Sequence, residues 1–259
     1  MTVPVNLILG FLAVLARVSG AFLFVPLPGM KQAPAIARIV LSLSVATVVW
    51  VARPGTLATH EFAIGEPVAL ILSEAALGIS IGVAVALLGE CLSLAAQMIG
   101  LQAGFSYAST IDPTSDADSG VLLVFSQLVS WWLLFATGFE AYVIRAFARS
   151  FELYPPGGFA VQGAAVEAVL RLGSVVLAAA FRLALPILAM LVLVDVTFAL
   201  LARVNAHLQL LSLAFPVKLL ASIALLAMLA GAFPKVYGDA AAQAASTISR
   251  IAGAGREGR

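Results

Sequence analysis

Charge is scarce in this chain. Of 259 residues, 10% are Asp, Glu, Lys or Arg, and 14 basic against 13 acidic side chains leave a formal net charge of +1. So thin and balanced a complement lacks the basic footprint that nucleic-acid binding requires. The single cysteine, Cys91, excludes a disulfide framework and most thiolate metal sites; within its apolar run it reads as a small core residue. Only two histidines occur, His60 and His207, in separate loops, and no H-E-x-x-H, G-x-S-x-G, paired-cysteine or glycine-rich phosphate motif is present. An enzyme is disfavoured on those grounds, and no metal or cofactor is expected.

Apolar side chain is what the sequence does have. At 62% hydrophobic and a mean hydropathy of +1.09, a soluble globule could not cover its apolar surface with so few charges. An integral membrane protein of all-α class follows, since helices satisfy their own backbone groups in lipid. Apolar windows fall at Pro4–Val25, Ile36–Val51, Pro67–Ala103, Val121–Phe139, Leu172–Ala202 and Leu208–Phe233, against the roughly 20 residues one crossing needs. The third and fifth would extend about 55 Å and about 46 Å as helices, so each projects beyond the hydrocarbon or bends, with Pro186 favouring a kink in the fifth. The first lacks a basic start and a small-residue cleavage site, and is expected to be retained. Residues 1–233 are read as the membrane domain and 234–259 as a polar C-terminal tail, whose Ala-rich start can form a helix before fraying.

Lys and Arg set an expected orientation. With six crossings and both ends cytoplasmic, Arg53, Arg145, Arg149, Arg171, Lys235, Arg250, Arg256 and Arg259 lie inside, against Lys31, Arg38 and Arg203 outside. Within the third window and its edge, small or polar residues recur at Gly78, Gly82, Ala86, Gly89, Ser93, Gln97, Gly100 and Gly104. Steps of three and four put them on one helix stripe, which lets backbones approach closely in lipid. Periodicity alone leaves open whether that stripe packs within the chain or against other subunits. Arg17, Glu74, Glu90, Arg182, Asp195 and Lys218 lie in or at the ends of windows, with Arg203 just beyond one. Each needs a partner or water there. They could form an ion relay centred on Asp195, pair with neighbouring chains, or, for Arg17 and Lys218, snorkel to the interface.

The most polar interior run is GFSYASTIDPTSDADSG, Gly104 to Gly120. Asp112 followed by Pro113 reads as an N-cap and first helical position, and Asp118 or Ser119 can cap the next helix. Asp112, Asp116 and Asp118 lack the spacing and closing glutamate of a calcium-binding EF-hand. Capping leaves Phe105, Tyr107 and Ile111 unexplained, apolar side chains that should pack into something.

The stretch LQAGFSYASTIDPTSDADSG, continued by VLLVFSQLVSWWLLFATGFEAYVIRAFARSFELYPPG, resembles the central signature of the FliR/SctT family of type III export-gate proteins. ARVNAHLQLLSLAFPVKLL is similar to the family's arginine-initiated loop and Phe-Pro-x-Lys, here Phe215, Pro216 and Lys218. The chain departs from the pattern at Ala206-His207, Ala214 and Phe139. The resemblance implies helical hairpins that assemble with FliP and FliQ into an export gate, with FlhB and FlhA as further partners in a bacterial inner membrane. It implies that residues 104–120, with Phe105, Tyr107, Ile111, Asp112 and Pro113, form a plug. It also raises the intersubunit reading of Gly78, Gly82, Gly89, Ser93, Gln97 and Gly100. The injectisome counterpart and, from another class, a proton-coupled solute transporter using Asp195 are the alternatives.

Overall fold

A computed structural model describes residues 5–25, 34–52, 66–105, 120–156, 163–204 and 210–252. Among them every regular element is helical: α1 (Val5–Phe24), α2 (Ala35–Ala52), α3 (Glu66–Ala103), α4 (Val121–Ala136), α5 (Phe139–Leu153), α6 (Gly163–Val204), α7 (Leu210–Leu229), a 3₁₀ turn (Ala230–Ala232) and α8 (Phe233–Ile251). Five spans are long and apolar enough to cross a membrane, six if α4 and α5 count as one span bent by 64°. The protein is accordingly a multi-pass membrane protein. The sixth window does not end at Phe233: through the 3₁₀ turn, one span runs from Leu213 to Ile251.

Local chemistry sets several of these boundaries. Pro34 leaves its carbonyl to the Ala37 and Arg38 amides, at 2.9 and 3.4 Å, and α2 starts there. Within α2 the hydroxyls of Ser42, Ser44 and Thr47 each donate to the carbonyl four residues back, at 2.7 Å, which makes them tolerable in an apolar helix. Gly120 is the residue from which α4 starts, its carbonyl accepting the Leu123 amide at 2.7 Å. Asp118 and Ser119, the expected caps, lie outside the described residues. Gly138, at φ +66°, supplies the left-handed residue between α4 and α5.

The chain divides into two compact units, one from Met1–Leu88, Gly138–Gly173 and Ala242–Arg259, the other from Gly89–Thr137 and Ser174–Ala241. In the first, Val14, Val18, Ala46 and Phe151 form a buried cluster, joined by Phe11, Trp50 and Phe147. Phe11 meets Trp50 edge to face, and Phe147 meets Phe151 likewise. The Tyr142 hydroxyl donates to the Ala245 carbonyl at 2.8 Å, tying α5 to the end of α8. Of the buried residues of α8, Ala244 and Ile248 lie in this unit and Tyr237 and Ala240 in the second. In the second unit Leu92, Ile99, Leu133, Ile187 and Leu191 are among the buried side chains.

Candidate functional site

Two groups of polar side chains are assembled from apolar helices. In the first unit Arg17, on α1, is completely buried. Its Nε donates to Glu74 of α3 at 2.5 Å, and one terminal nitrogen reaches the Ser150 carbonyl at 3.0 Å and hydroxyl at 3.3 Å. The other terminal nitrogen donates to the Tyr154 carbonyl at 2.9 Å, while the guanidinium lies 4.3 Å from the centre of the Phe151 ring. A planar fork with five N–H groups suits this mixed demand. Ser150 and Tyr154 mark the end of α5, where the Ser150 carbonyl already accepts the Tyr154 amide at 3.0 Å and the last carbonyls and the helix dipole favour a cation. Arg17 therefore does not snorkel; it joins α1, α3 and α5 as a buried hub.

In the second unit Asp195 of α6 takes a hydrogen bond from Gln102 Nε2 at 2.9 Å. Lys218 of α7 lies 2.9 Å from its Oδ1 and 3.0 Å from its Oδ2. Lys218 is thus paired rather than snorkelling. The bridge gathers the last turn of α3, the last quarter of α6 and the first half of α7. Glu90, Arg182 and Arg203 are exposed and have no partner among the described residues. Of the charges noted in the sequence, Glu74 is paired with Arg17 and Asp195 with Lys218, and the other three stand apart.

The root of the 104–120 run lies beside that bridge. Gly104 terminates α3 at φ +87°, with its amide 3.1 Å and the Phe105 amide 2.9 Å from the Gly100 carbonyl. The Phe215 ring occupies the space a side chain at 104 would need, 2.7 Å from where Cβ would stand. Conformation and contact together require glycine. Phe105 lines an apolar cavity of about 550 Å³ with Ile99, Phe125, Trp132, Leu183 and Ile223. Tyr107, Ile111, Asp112 and Pro113 lie outside the described residues.

The small-residue stripe serves several surroundings. A methyl at Gly78 or Gly82 would collide with the backbone carbonyls of Arg17 and Ala21, and a Cβ at Gly20 would stand 2.6 Å from the Ala75 carbonyl. These three glycines bring α1 and α3 into backbone contact. The Gly89 carbonyl accepts the Ser130 hydroxyl at 3.0 Å. Ser93 is buried, and its hydroxyl has no partner among the described residues; Gln97 is exposed; and Gly100 is buried, with nothing described within 4 Å of where a Cβ would stand. The stripe could be read from sequence, but its partners could not. Gln102 and Ser150 stand within the quoted signature stretch, but neither one's partner here was legible in it, and Tyr154 was not singled out.

Among the described residues no three His, Cys, Asp or Glu side chains gather as a metal ion would need. A profile of the family described as "Bacterial export proteins, family 1" matches residues 8–244. The flagellar biosynthetic protein FliR of Escherichia coli (strain K12) is 27% identical over 160 residues, 62% of this chain and 61% of that protein. The protein of the same name from Buchnera aphidicola subsp. Acyrthosiphon pisum (strain APS) is 24% identical over 222 residues, 86% of this chain and 85% of its own length. That of Bacillus subtilis (strain 168) is 25% identical over 227 residues, 86% of each chain. The chain spans about three-fifths of the Escherichia coli and Pectobacterium carotovorum relatives, 61% and 63% of their lengths.

Proposed function

Because the chain belongs to the bacterial export proteins, family 1, we propose that it is a non-enzymatic membrane component of the flagellar protein-export apparatus, lining part of the passage for unfolded polypeptide. The family match across residues 8–244 carries this reading, and the flagellar name of the relatives favours the flagellar over the injectisome branch. FliP and FliQ are the proposed partners in the gate, FlhB and FlhA the proposed neighbours, and the bacterial inner membrane the proposed location. Residues 104–120 act as the plug, with Phe105, Tyr107 and Ile111 as its occluding side chains and Asp112-Pro113 starting its return.

The geometry at Gly104 supports that assignment. A plug must be firmly held at its base, and here the base is fixed by the Phe215 ring against Gly104 and by the Gln102–Asp195–Lys218 bridge two residues earlier. Intersubunit packing falls first to the exposed member of the stripe, Gln97. Deleting the gene should abolish swimming and the release of flagellar subunits into the medium, and the intact gene should restore both. Retention of both by the deletion strain would refute the export reading.

A further inference from the structure

Arg38, at the start of α2, lacks the anion that its surroundings call for. Helices α1 and α2 carry two cations, Arg17 and Arg38, and no Asp or Glu. Arg17 has Glu74. Among the described residues Arg38 has a neutral partner alone, the Leu23 carbonyl, which accepts from one terminal nitrogen at 3.0 Å. Its Nε is withdrawn from solvent and bonds to nothing described. A guanidinium carries five N–H donors, and a buried one left unpaired costs free energy that an incoming acceptor recovers.

Arg38 also lines a groove of about 460 Å³ between α1 and α2, with Leu15, Phe22, Ile39 and Leu43 as its large apolar walls. That volume falls within the roughly 300–1,000 Å³ of small-molecule sites. The two hydroxyls in the groove are already spent, Ser19 donating to the Ala16 carbonyl at 3.2 Å and Ser42 to the Arg38 carbonyl at 2.7 Å. Polar recognition therefore rests on the guanidinium. Helix α1 has 20 residues and α2 has 18, about 30 and 27 Å, each close to one hydrocarbon thickness. Arg38 lies in the first turn of α2 and reaches the last turn of α1, so the cation stands where two crossings end and lipid phosphates begin. From there the groove follows α2 to Leu43 and α1 back to Leu15. Helices that pack in lipid approach through small residues; walls as large as these suit a flexible acyl chain better.

We propose that the α1–α2 groove binds an anionic phospholipid, its phosphate on the Arg38 guanidinium and an acyl chain between Leu15, Phe22, Ile39 and Leu43. An anionic lipid brings the net charge that the groove lacks, which a zwitterionic one does not. The assignment needs α1 and α2 as membrane helices and not the export reading, so the two fail separately. The test reconstitutes the full chain in phosphatidylcholine vesicles doped with a phosphatidylglycerol that carries a photoreactive diazirine on its acyl chain. Adducts should concentrate at Leu15, Phe22, Ile39 or Leu43, above the level at Leu193, an exposed residue of α6. Unlabelled phosphatidylglycerol should displace them, while an equal further amount of phosphatidylcholine, or inorganic phosphate, should not. Arg38→Gln should lower them about tenfold or more. Labelling no higher than at Leu193, displacement by phosphatidylcholine or inorganic phosphate as well as by phosphatidylglycerol, or a yield indifferent to Arg38→Gln would each overturn the proposal. If Arg38→Gln does not accumulate, the competition on the chain with Arg38 intact decides the matter.

Discussion

Arg17 is a guanidinium fully withdrawn from solvent, and such a group is stable only while its donors are occupied. Arg17→Ala leaves Glu74 as a buried charge without its cation and should cost about 3–5 kcal/mol. Thermal unfolding in detergent micelles would read this as a clear loss of stability. The pair Arg17→Met with Glu74→Leu, which removes both charges, should recover much of it; a double variant no better than Arg17→Ala would contradict the ion-pair account. Gly104 offers a second single-residue test. Gly104→Ala combines a left-handed backbone with a clash against Phe215 and should cost about 1–3 kcal/mol, whereas Gly104→Ala with Phe215→Ala relieves only the clash. The two partners of the buried pair were both visible in the sequence as membrane charges. Their pairing was not, because they are 57 residues apart and hydropathy carries no information about which helices meet.

Helices were more legible than their contacts. The third window, Pro67–Ala103, nearly coincides with α3, because a long apolar run between breakers leaves the backbone no alternative in lipid. The fifth window missed the start of α6 by nine residues (172 − 163 = 9), since Glu167 and Arg171 lower its hydropathy while pairing on the helix surface. The fourth window, Val121–Phe139, ends where the turn at Gly138 falls, and the Ala-rich stretch after Pro234 is helical as its composition allows. At this scale, Gly78→Leu should force α1 from α3 and lower the unfolding temperature, while Gly100→Ala in the same stripe should leave it nearly unchanged. Equal effects at both positions would contradict the contact pattern. In the second unit, Asp195→Ala strands Lys218 and Gln102 and should destabilise more than Asp195→Leu combined with Lys218→Leu, measured by the same melt.

For the whole molecule, membrane character came directly from composition, and the family from one polar run whose aspartates and aromatics have no counterpart elsewhere in the chain. Of the 18 residues of Ala35–Ala52 only Ser42 and Ala46 are buried, so most of that helix's surface is left to lipid or to partner chains, and no single sequence says which. The central claim is that residues 104–120 close a passage, held at their base by Gly104, Phe215 and the Asp195 bridge. The direct measurement is membrane conductance to small solutes in cells making the chain without Ser109–Ser119, compared with cells making the intact chain at equal membrane levels. A leak confined to the deleted form is the predicted result, and an unaltered seal would contradict the claim.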